Sequence, residues 1–387
     1  MPLSNAVKIK ISQVFYIALS WLVVSMLIVL QEYLFQSELK FSGIENYSGA
    51  TTALTTLFAV FIASLLAAPF IVFYLKDRFK SKPLWFSLLF NTIIFVIIIT
   101  LVSLPALIFY NFLSTNLTLN GPMLLTKVWL FYTGPAYLSI LLNWTILSSL
   151  TLIVLQINDK YGQGVLWNLL KGKYHKPKQE ERIFMFLDIT SSTAIAEELG
   201  NIRYFELLSS FFQDITKPII KNYGEIYQYV GDEIVVSWKM AQGLRQAHCL
   251  QCFFDIQETI EMLSTKYMEQ YGLVPGYKAG LHCGEVTVGE VGTIKKDIIF
   301  SGDVLNTTSR IQDACKRFDS NLLISQELID RLKVCNTFIF KEIGAIQLRG
   351  KLQPVNLSIV KKNVVTPTQV SNKGFKTSTR FSETNRS

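Results

Sequence analysis

Phe186-Leu187-Asp188-Ile189-Thr190-Ser191-Ser192-Thr193 and Tyr227-Gln228-Tyr229-Val230-Gly231-Asp232-Glu233-Ile234-Val235-Val236 are the two stretches on which the reading of this chain turns. Each is an apolar run that meets an acidic residue. In the second, Gly231-Asp232 separates two strand-like runs, the pattern of a tight β-hairpin with Asp232 at its tip. If the two runs are neighbouring strands, Asp188 and Asp232 meet at one end of a sheet. A carboxylate pair so placed is a hard-oxygen site for Mg²⁺ or Mn²⁺ beside a phosphate substrate. Taken singly, Asp188 reads as a helix cap and Asp232 as a turn residue.

The sequence around them alternates strand-like and helix-like runs. Residues 182–188 read as a buried strand and 197–221 as a helix. Residues 225–230 and 233–238 form the hairpin, and 242–271 have helical character. A strand is expected at 277–283 and another at 298–300, then a helix over 304–316. The segment 322–325 and those after Thr337 complete the sheet. This order predicts an α+β sandwich of the ferredoxin-like type, with helices packed on one sheet.

Further segments narrow the class. Tyr277-Lys278-Ala279-Gly280-Leu281-His282-Cys283-Gly284, Gly289-Glu290-Val291-Gly292, Gly302-Asp303-Val304-Leu305-Asn306-Thr307-Thr308-Ser309-Arg310 and Leu348-Arg349-Gly350-Lys351 follow the first two stretches in order. Together these pieces resemble the catalytic domain of class III nucleotide cyclases, over about residues 180–360. Each piece is weak alone, and the combination is specific. In that family the piece from Gly289 to Gly292 is a turn and the piece from Gly302 to Arg310 opens a helix.

The resemblance implies a reaction and a site. The ribose 3′-hydroxyl of a nucleoside triphosphate attacks its own α-phosphate, and pyrophosphate leaves. Asp188 and Asp232, with the Ile189 carbonyl, are implied to hold two Mg²⁺ or Mn²⁺ ions. The loop Ile189–Thr193, including Ser191, Ser192 and Thr193, is expected to offer backbone N–H groups to phosphate, with capping by Ser192 or Thr193 as the plainer role. Asn306 would orient the ribose and Arg310 offset charge on the α-phosphate. The two residues share a helix face at a spacing of four. Lys351 would contact the triphosphate. The base-contacting positions of the family fall on Gln228 and Ile299, with Asp297 or Ser301 as alternatives to Ile299. Neither Gln228 nor Ile299 is the family's usual choice, and a Gln amide can pair with adenine or guanine edges. ATP is the favoured substrate by analogy. Guanylate cyclase and a catalytically silent cyclase-like receptor are the alternatives. The family's sites lie between two such domains, so one domain carrying both residue sets implies a homodimer with shared sites.

Composition places this domain behind a membrane segment. Half of the 387 residues are apolar, and the excess is concentrated in residues 1–157. Four runs, about 11–30, 52–75, 84–110 and 131–156, reach the ~20 residues a helix needs to cross a bilayer. The first is too long for a signal peptide and lacks a small-residue cleavage site. Lys8, Lys10, Lys76, Arg78, Lys80, Lys82 and Lys160 flank the runs on one side. The first loop, with Glu32, Glu38, Lys40 and Glu45, is net acidic, and the third is polar with few charges. This asymmetry predicts a multi-pass inner-membrane protein with the catalytic domain and both termini cytoplasmic. The expected organisation is therefore a four-helix transmembrane domain over 1–157, a coupling linker over 158–180, a catalytic domain over 181–362 and a disordered tail over 363–387.

The net charge of +8 lies largely in juxtamembrane segments and the tail, which suits lipid headgroups rather than nucleic acid. Cys249, Cys252, Cys283, Cys315 and Cys335 are odd in number and fall in the expected cytoplasmic domain, so structural disulfides are not expected. Cys249-Leu250-Gln251-Cys252 lacks a second ligand pair for zinc and reads as buried helix. A channel or transporter would need ionisable groups within the spans. Asn91 and Asn143 are the main strongly polar residues there, and interhelical hydrogen bonding is their expected role.

Overall fold

The structure, a computed structural model, describes residues 5–41, 49–75, 78, 83–115, 122–161, 172–294, 296–332, 337–351 and 353–363. Glu45, Lys76, Lys80, Lys82, Cys335, the apolar segment 165–170 of the expected linker and the tail from 364 lie outside them. The chain divides into two compact units, 1–176 and 177–387.

In the first unit the described residues form the helices α1 (Asn5–Phe41), α2 (Gly49–Phe70), α3 (Leu84–Thr115), α4 (Pro122–Thr133) and α5 (Pro135–Tyr161). Four segments, Val7–Leu34, Ala50–Leu75, Leu84–Leu113 and Pro135–Asn158, are long and apolar enough to cross a membrane. α2 contains Pro69 and runs on into a π-helical turn, Ile71–Leu75. Proline has no N–H to give, and the widened turn is one way a helix absorbs that loss. Two expectations are corrected. Glu32, Glu38 and Lys40 stand on α1, not in a loop. The third loop carries a helix of its own, α4, so the fourth span begins at Pro135, beyond the break at Gly134, and not at 131. Polar groups tie this bundle together. Trp21 Nε1 donates to Thr151 Oγ1 at 3.0 Å, joining α1 to α5. Asn91 Nδ2 donates to Ser148 Oγ at 3.4 Å, joining α3 to α5 as expected. Asn143 instead bonds Ser139 of its own helix at 3.5 Å.

The second unit alternates strands and helices. In chain order these are β1 (Lys178–Ile189), α6 (Ser192–Leu199), α7 (Asn201–Lys221), β2 (Glu225–Val230), β3 (Glu233–Lys239), α8 (Met240–Leu244), α9 (His248–Met262), α10 (Ser264–Tyr271), β4 (Tyr277–Val291), β5 (Asp297–Ser301), α11 (Asp303–Ala314), β6 (Leu322–Ser325), α12 (Gln326–Arg331), β7 (Phe338–Ile346) and β8 (Val355–Lys362). Across the sheet the order is β2-β3-β1-β4-β6-β8-β7, and β5 pairs with the far half of β4. β4 and β6 run parallel; the other pairings are antiparallel.

β1 shows why the sheet sits where it does. Its alternate residues Ile183, Met185, Leu187 and Ile189 are buried with Phe211 and Ile215 of α7 and with Phe253 and Ile256 of α9. Strand alternation sends Arg182, Phe184, Phe186 and Asp188 to the other face. On that face α11 lies directly on β4. A Cβ at Gly280 would stand 2.5 Å from the Gln312 backbone N and 2.8 Å from the Thr308 carbonyl. β4 is longer than its apolar run suggests, because its second half pairs with β5 as a hairpin. Gly289–Val291, read as a turn from the resemblance, therefore belongs to the strand, and the chain turns after it, where Gly292 takes φ +108°.

Candidate active site

Asp188 is the next-to-last residue of β1, and β3 and β4 flank it. Glu233 is its partner across β3 and Lys278 its partner across β4. Asp232 sits in the β2–β3 turn, whose Gly231 takes φ +63°, a conformation glycine adopts without strain. The hairpin thus carries Asp232 to Asp188, as the sequence predicts, and the two carboxylates interact directly. Burial, then the charge and hydrogen bonding of Asp232, hold the Asp188 carboxyl above its usual range. Lys278 acts the other way, its Nζ 3.5 Å from Asp188 Oδ2. Gln312 Nε2, from α11, donates to the same oxygen at 3.1 Å.

Glu233 is the third acid here. Burial and the charges of Asp188 and Asp232 push its carboxyl up to about 7. Its neighbour Asp232 drew attention in the sequence while Glu233 read only as a strand start. Its place opposite Asp188 follows from the register of β1 on β3. Tyr204 of α7 is likewise unanticipated: burial, then the charge of Asp232, raises its phenol, and the hydroxyl interacts with Ser192. No spacing in the sequence announces Lys278, Gln312 or Tyr204, because each comes from a separate element.

The remaining expected residues divide into three groups. Ile189 ends β1 with its side chain buried in the core beneath the aspartates. Ser191 is the residue that caps α6, in the left-handed region at φ 58°, and makes no side-chain cap bond. Capping by Ser192 or Thr193 is thereby corrected, since both lie within the helix. Gln228 is exposed on β2, beside a bulge. Ile299 is 37% exposed on β5, opposite Gly289. Asn306 and Arg310 lie on the outer side of α11, while Thr307, Thr308, Ile311 and Gln312 are buried. The Arg310 guanidinium turns to Asp313 at 3.2 Å, and Asn306 has no side-chain partner among the described residues. Lys351 is paired with Asp303, at the start of α11. The structure therefore brings Asp188 and Asp232 together and joins neither to Asn306 or Arg310 of the same chain.

Among the described residues no three His, Cys, Asp or Glu side chains converge as a metal-ligand set. The donor chemistry still suits a hard cation. Asp232 raises the proton affinity of Asp188, and Lys278 is the cation that faces Asp188. A divalent ion holding water and phosphate oxygens as its other ligands meets that geometry without a full protein cage. Cys249 and Cys252 differ: both are buried in α9, and burial pushes the Cys249 thiol up to about 12.

Residues 174–362 match the adenylate and guanylate cyclase catalytic domain family. Adenylate cyclase 2 of Rhizobium meliloti (strain 1021) is 36% identical over 202 residues, which is 52% of this chain and 56% of that protein. The adenylate cyclase of Anabaena cylindrica is 26% identical over 183 residues, 46% of this chain and 36% of that one. A solved adenylyl cyclase from P. aeruginosa superposes with a TM-score of 0.43 at 21% identity, covering 48% of this chain and 96% of the other. The chain spans about half, or less, of these curated relatives. Residues 174–362 are thus similar over their whole length to the catalytic domain of the adenylate and guanylate cyclase family.

Proposed function

We propose that this chain is a membrane-bound adenylate cyclase that converts ATP to cyclic AMP and pyrophosphate. The observation that carries the reading is the meeting of Asp188 and Asp232 at the sheet end, in a domain that matches the cyclase family. The adenylate cyclases among its relatives favour ATP over GTP.

In this reading Asp188 and Asp232, with the Ile189 carbonyl, hold two Mg²⁺ or Mn²⁺ ions. When bound, the ions supply Lewis acidity at the ribose 3′-hydroxyl and neutralise triphosphate charge. The 3′-oxygen bonds to the α-phosphorus as the bridging bond to the β-phosphate breaks. Pyrophosphate leaves with the electron pair, and the hydroxyl proton passes to water. Asn306 orients the ribose, Arg310 offsets the charge that builds on the α-phosphate, and Lys351 binds the triphosphate. The loop of Ser191, Ser192 and Thr193 lends N–H groups to phosphate. Gln228 and Ile299 face the base.

Asn306 and Arg310 stand on the outer side of α11, apart from the aspartates of their own chain. That separation favours a homodimer in which one chain supplies the aspartates and its partner supplies Asn306 and Arg310. The four apolar helices and the one-sided basic residues favour a multi-pass inner-membrane protein with the catalytic unit in the cytoplasm.

The test is cyclic nucleotide formation by the full chain in isolated membranes with Mn²⁺, offered ATP and GTP separately, beside Asp232→Ala. Cyclic AMP that disappears in the variant supports the proposal. Cyclic GMP alone keeps the chemistry and overturns the substrate. No product from either nucleotide overturns the enzyme reading in favour of a silent receptor.

A further inference from the structure

The sheet face that carries Asp188 also holds a buried cation for which the chemistry above has no use. Arg182 of β1 is 2% exposed. Its guanidinium donates to Glu180 Oε2 at 2.9 and 3.0 Å, to Glu225 Oε2 at 2.6 Å and to Ser237 Oγ at 3.3 Å. The same group lies over the Phe300 ring, 4.8 Å from its centre. Phe300 belongs to β5. Its ring meets Phe184 of β1 edge-on at 5.5 Å and Tyr227 of β2 at 4.8 Å. Its backbone N–H donates to the Tyr227 hydroxyl at 3.2 Å.

These contacts join strands that the sheet itself leaves apart. β5 is hydrogen-bonded to β4, and β2 lies at the far edge beyond β1 and β3. The cluster of Arg182, Tyr227 and Phe300 bridges them across the sheet face. A buried guanidinium is costly to desolvate and adds little net stability over well-packed apolar groups, so its worth is sought in what it positions. Here the neighbours of the cluster are informative. Gln228 follows Tyr227, and Ile299 precedes Phe300.

We propose that Arg182, Tyr227 and Phe300 form a clamp that fixes the spacing between Gln228 and Ile299, and so sets how well the site distinguishes adenine from guanine. The proposal rests on the reading of those two positions as base contacts. Arg182 and Tyr227 act here as positioning residues. Both lie one strand step or more from the base, and they act through the backbone of β2 and β5.

Tyr227→Phe is the decisive variant, because it keeps the edge-to-face ring contact and removes only the hydroxyl that receives the Phe300 amide. Arg182→Lys keeps the charge and loses the planar fork and the stacking on Phe300. Each is made in the full chain, in membranes or detergent. Equilibrium binding of ATP and GTP is measured beside turnover and melting temperature. The expected result is a fall of about three- to tenfold in the ratio of ATP to GTP affinity and of kcat/KM, the worth of one hydrogen bond, with kcat at saturating ATP held within about twofold. Ratios equal to wild type in both variants, with a lowered melting temperature, would reduce the cluster to packing and overturn the clamp. A wild-type chain that binds neither nucleotide would sink the functional reading itself. Because binding is read independently of turnover, the two failures are distinguishable.

Discussion

His282 shows how one buried side chain makes this domain sensitive to acid. It lies on β4 with Nδ1 2.8 Å from Ser325 Oγ. Burial, then the charge of Lys351, lowers it from 6.5 to about 4. The folded chain therefore refuses a proton that the unfolded chain accepts below its ordinary value. Stability is unaffected at neutral pH and falls as pH drops from 6.5 toward 4. The loss reaches at most about 3 kcal/mol. His282→Gln has no such proton to refuse. Urea unfolding of both chains at pH 7.5 and pH 5 would show a smaller acid loss in the variant, and equal losses would remove His282 from the account. At this same scale Asp188 and Asp232 were legible because strand–acid and Gly-Asp patterns are local. Glu233, Lys278 and Gln312 were not, because what makes them neighbours of Asp188 is strand register and helix docking.

Among the elements, α11 packs directly on β4 at Gly280. Gly280→Ala places a methyl against the backbone of Thr308 and Gln312, neither of which can turn aside. The helix has to lift, at a cost of about 1–3 kcal/mol. It would take the Gln312 bond to Asp188 with it, together with Asn306 and Arg310. The expected outcome is a lowered melting temperature and a loss of cyclase activity larger than the fraction unfolded explains. Activity that merely tracks the folded fraction would refute the link. Glycines also account for how far the elements were readable. The expected helix over 197–221 is two helices, α6 and α7, parted at Gly200 with φ +75°, a stop signal visible in the sequence. The expected helix over 242–271 is broken near Gln246 and Ala247, at φ +52° and +51°, where no glycine or proline marks the break. No turn residue stands at that break, so periodicity alone ran through it. Cys249 and Cys252, just past it, are buried helix residues as the pattern suggested.

For the molecule as a whole, two experiments test assembly and orientation. In a homodimer with shared sites, Asp232→Ala and Arg310→Ala are each inactive alone. Co-expressed in equal amounts they form one intact site in half of the dimers, restoring about a quarter of wild-type activity. Mixing that restores nothing would place the whole site within one chain. For orientation, Ser42→Cys is expected to react with a membrane-impermeant maleimide on intact cells, and Ser81→Cys only after permeabilisation. The reverse pattern would invert the topology. The four helices long and apolar enough to cross a membrane were legible from hydropathy because length and apolarity are properties of the sequence itself. Helix α4 was hidden, since its polar flanks resemble a loop.

β1 has a consequence that follows from its length alone. It begins one residue after Pro177 and ends past Asp188, and every residue from Lys178 to Ile189 is matched to a residue of β4. Such a ladder neither stretches nor slips, because a one-step slip would turn its apolar residues outward. The strand is a stiff lever with the chain's entry into the domain at one end and the acidic site at the other. A displacement at Lys178 would thus carry Asp188 along with the strand and leave its register against Lys278 unchanged.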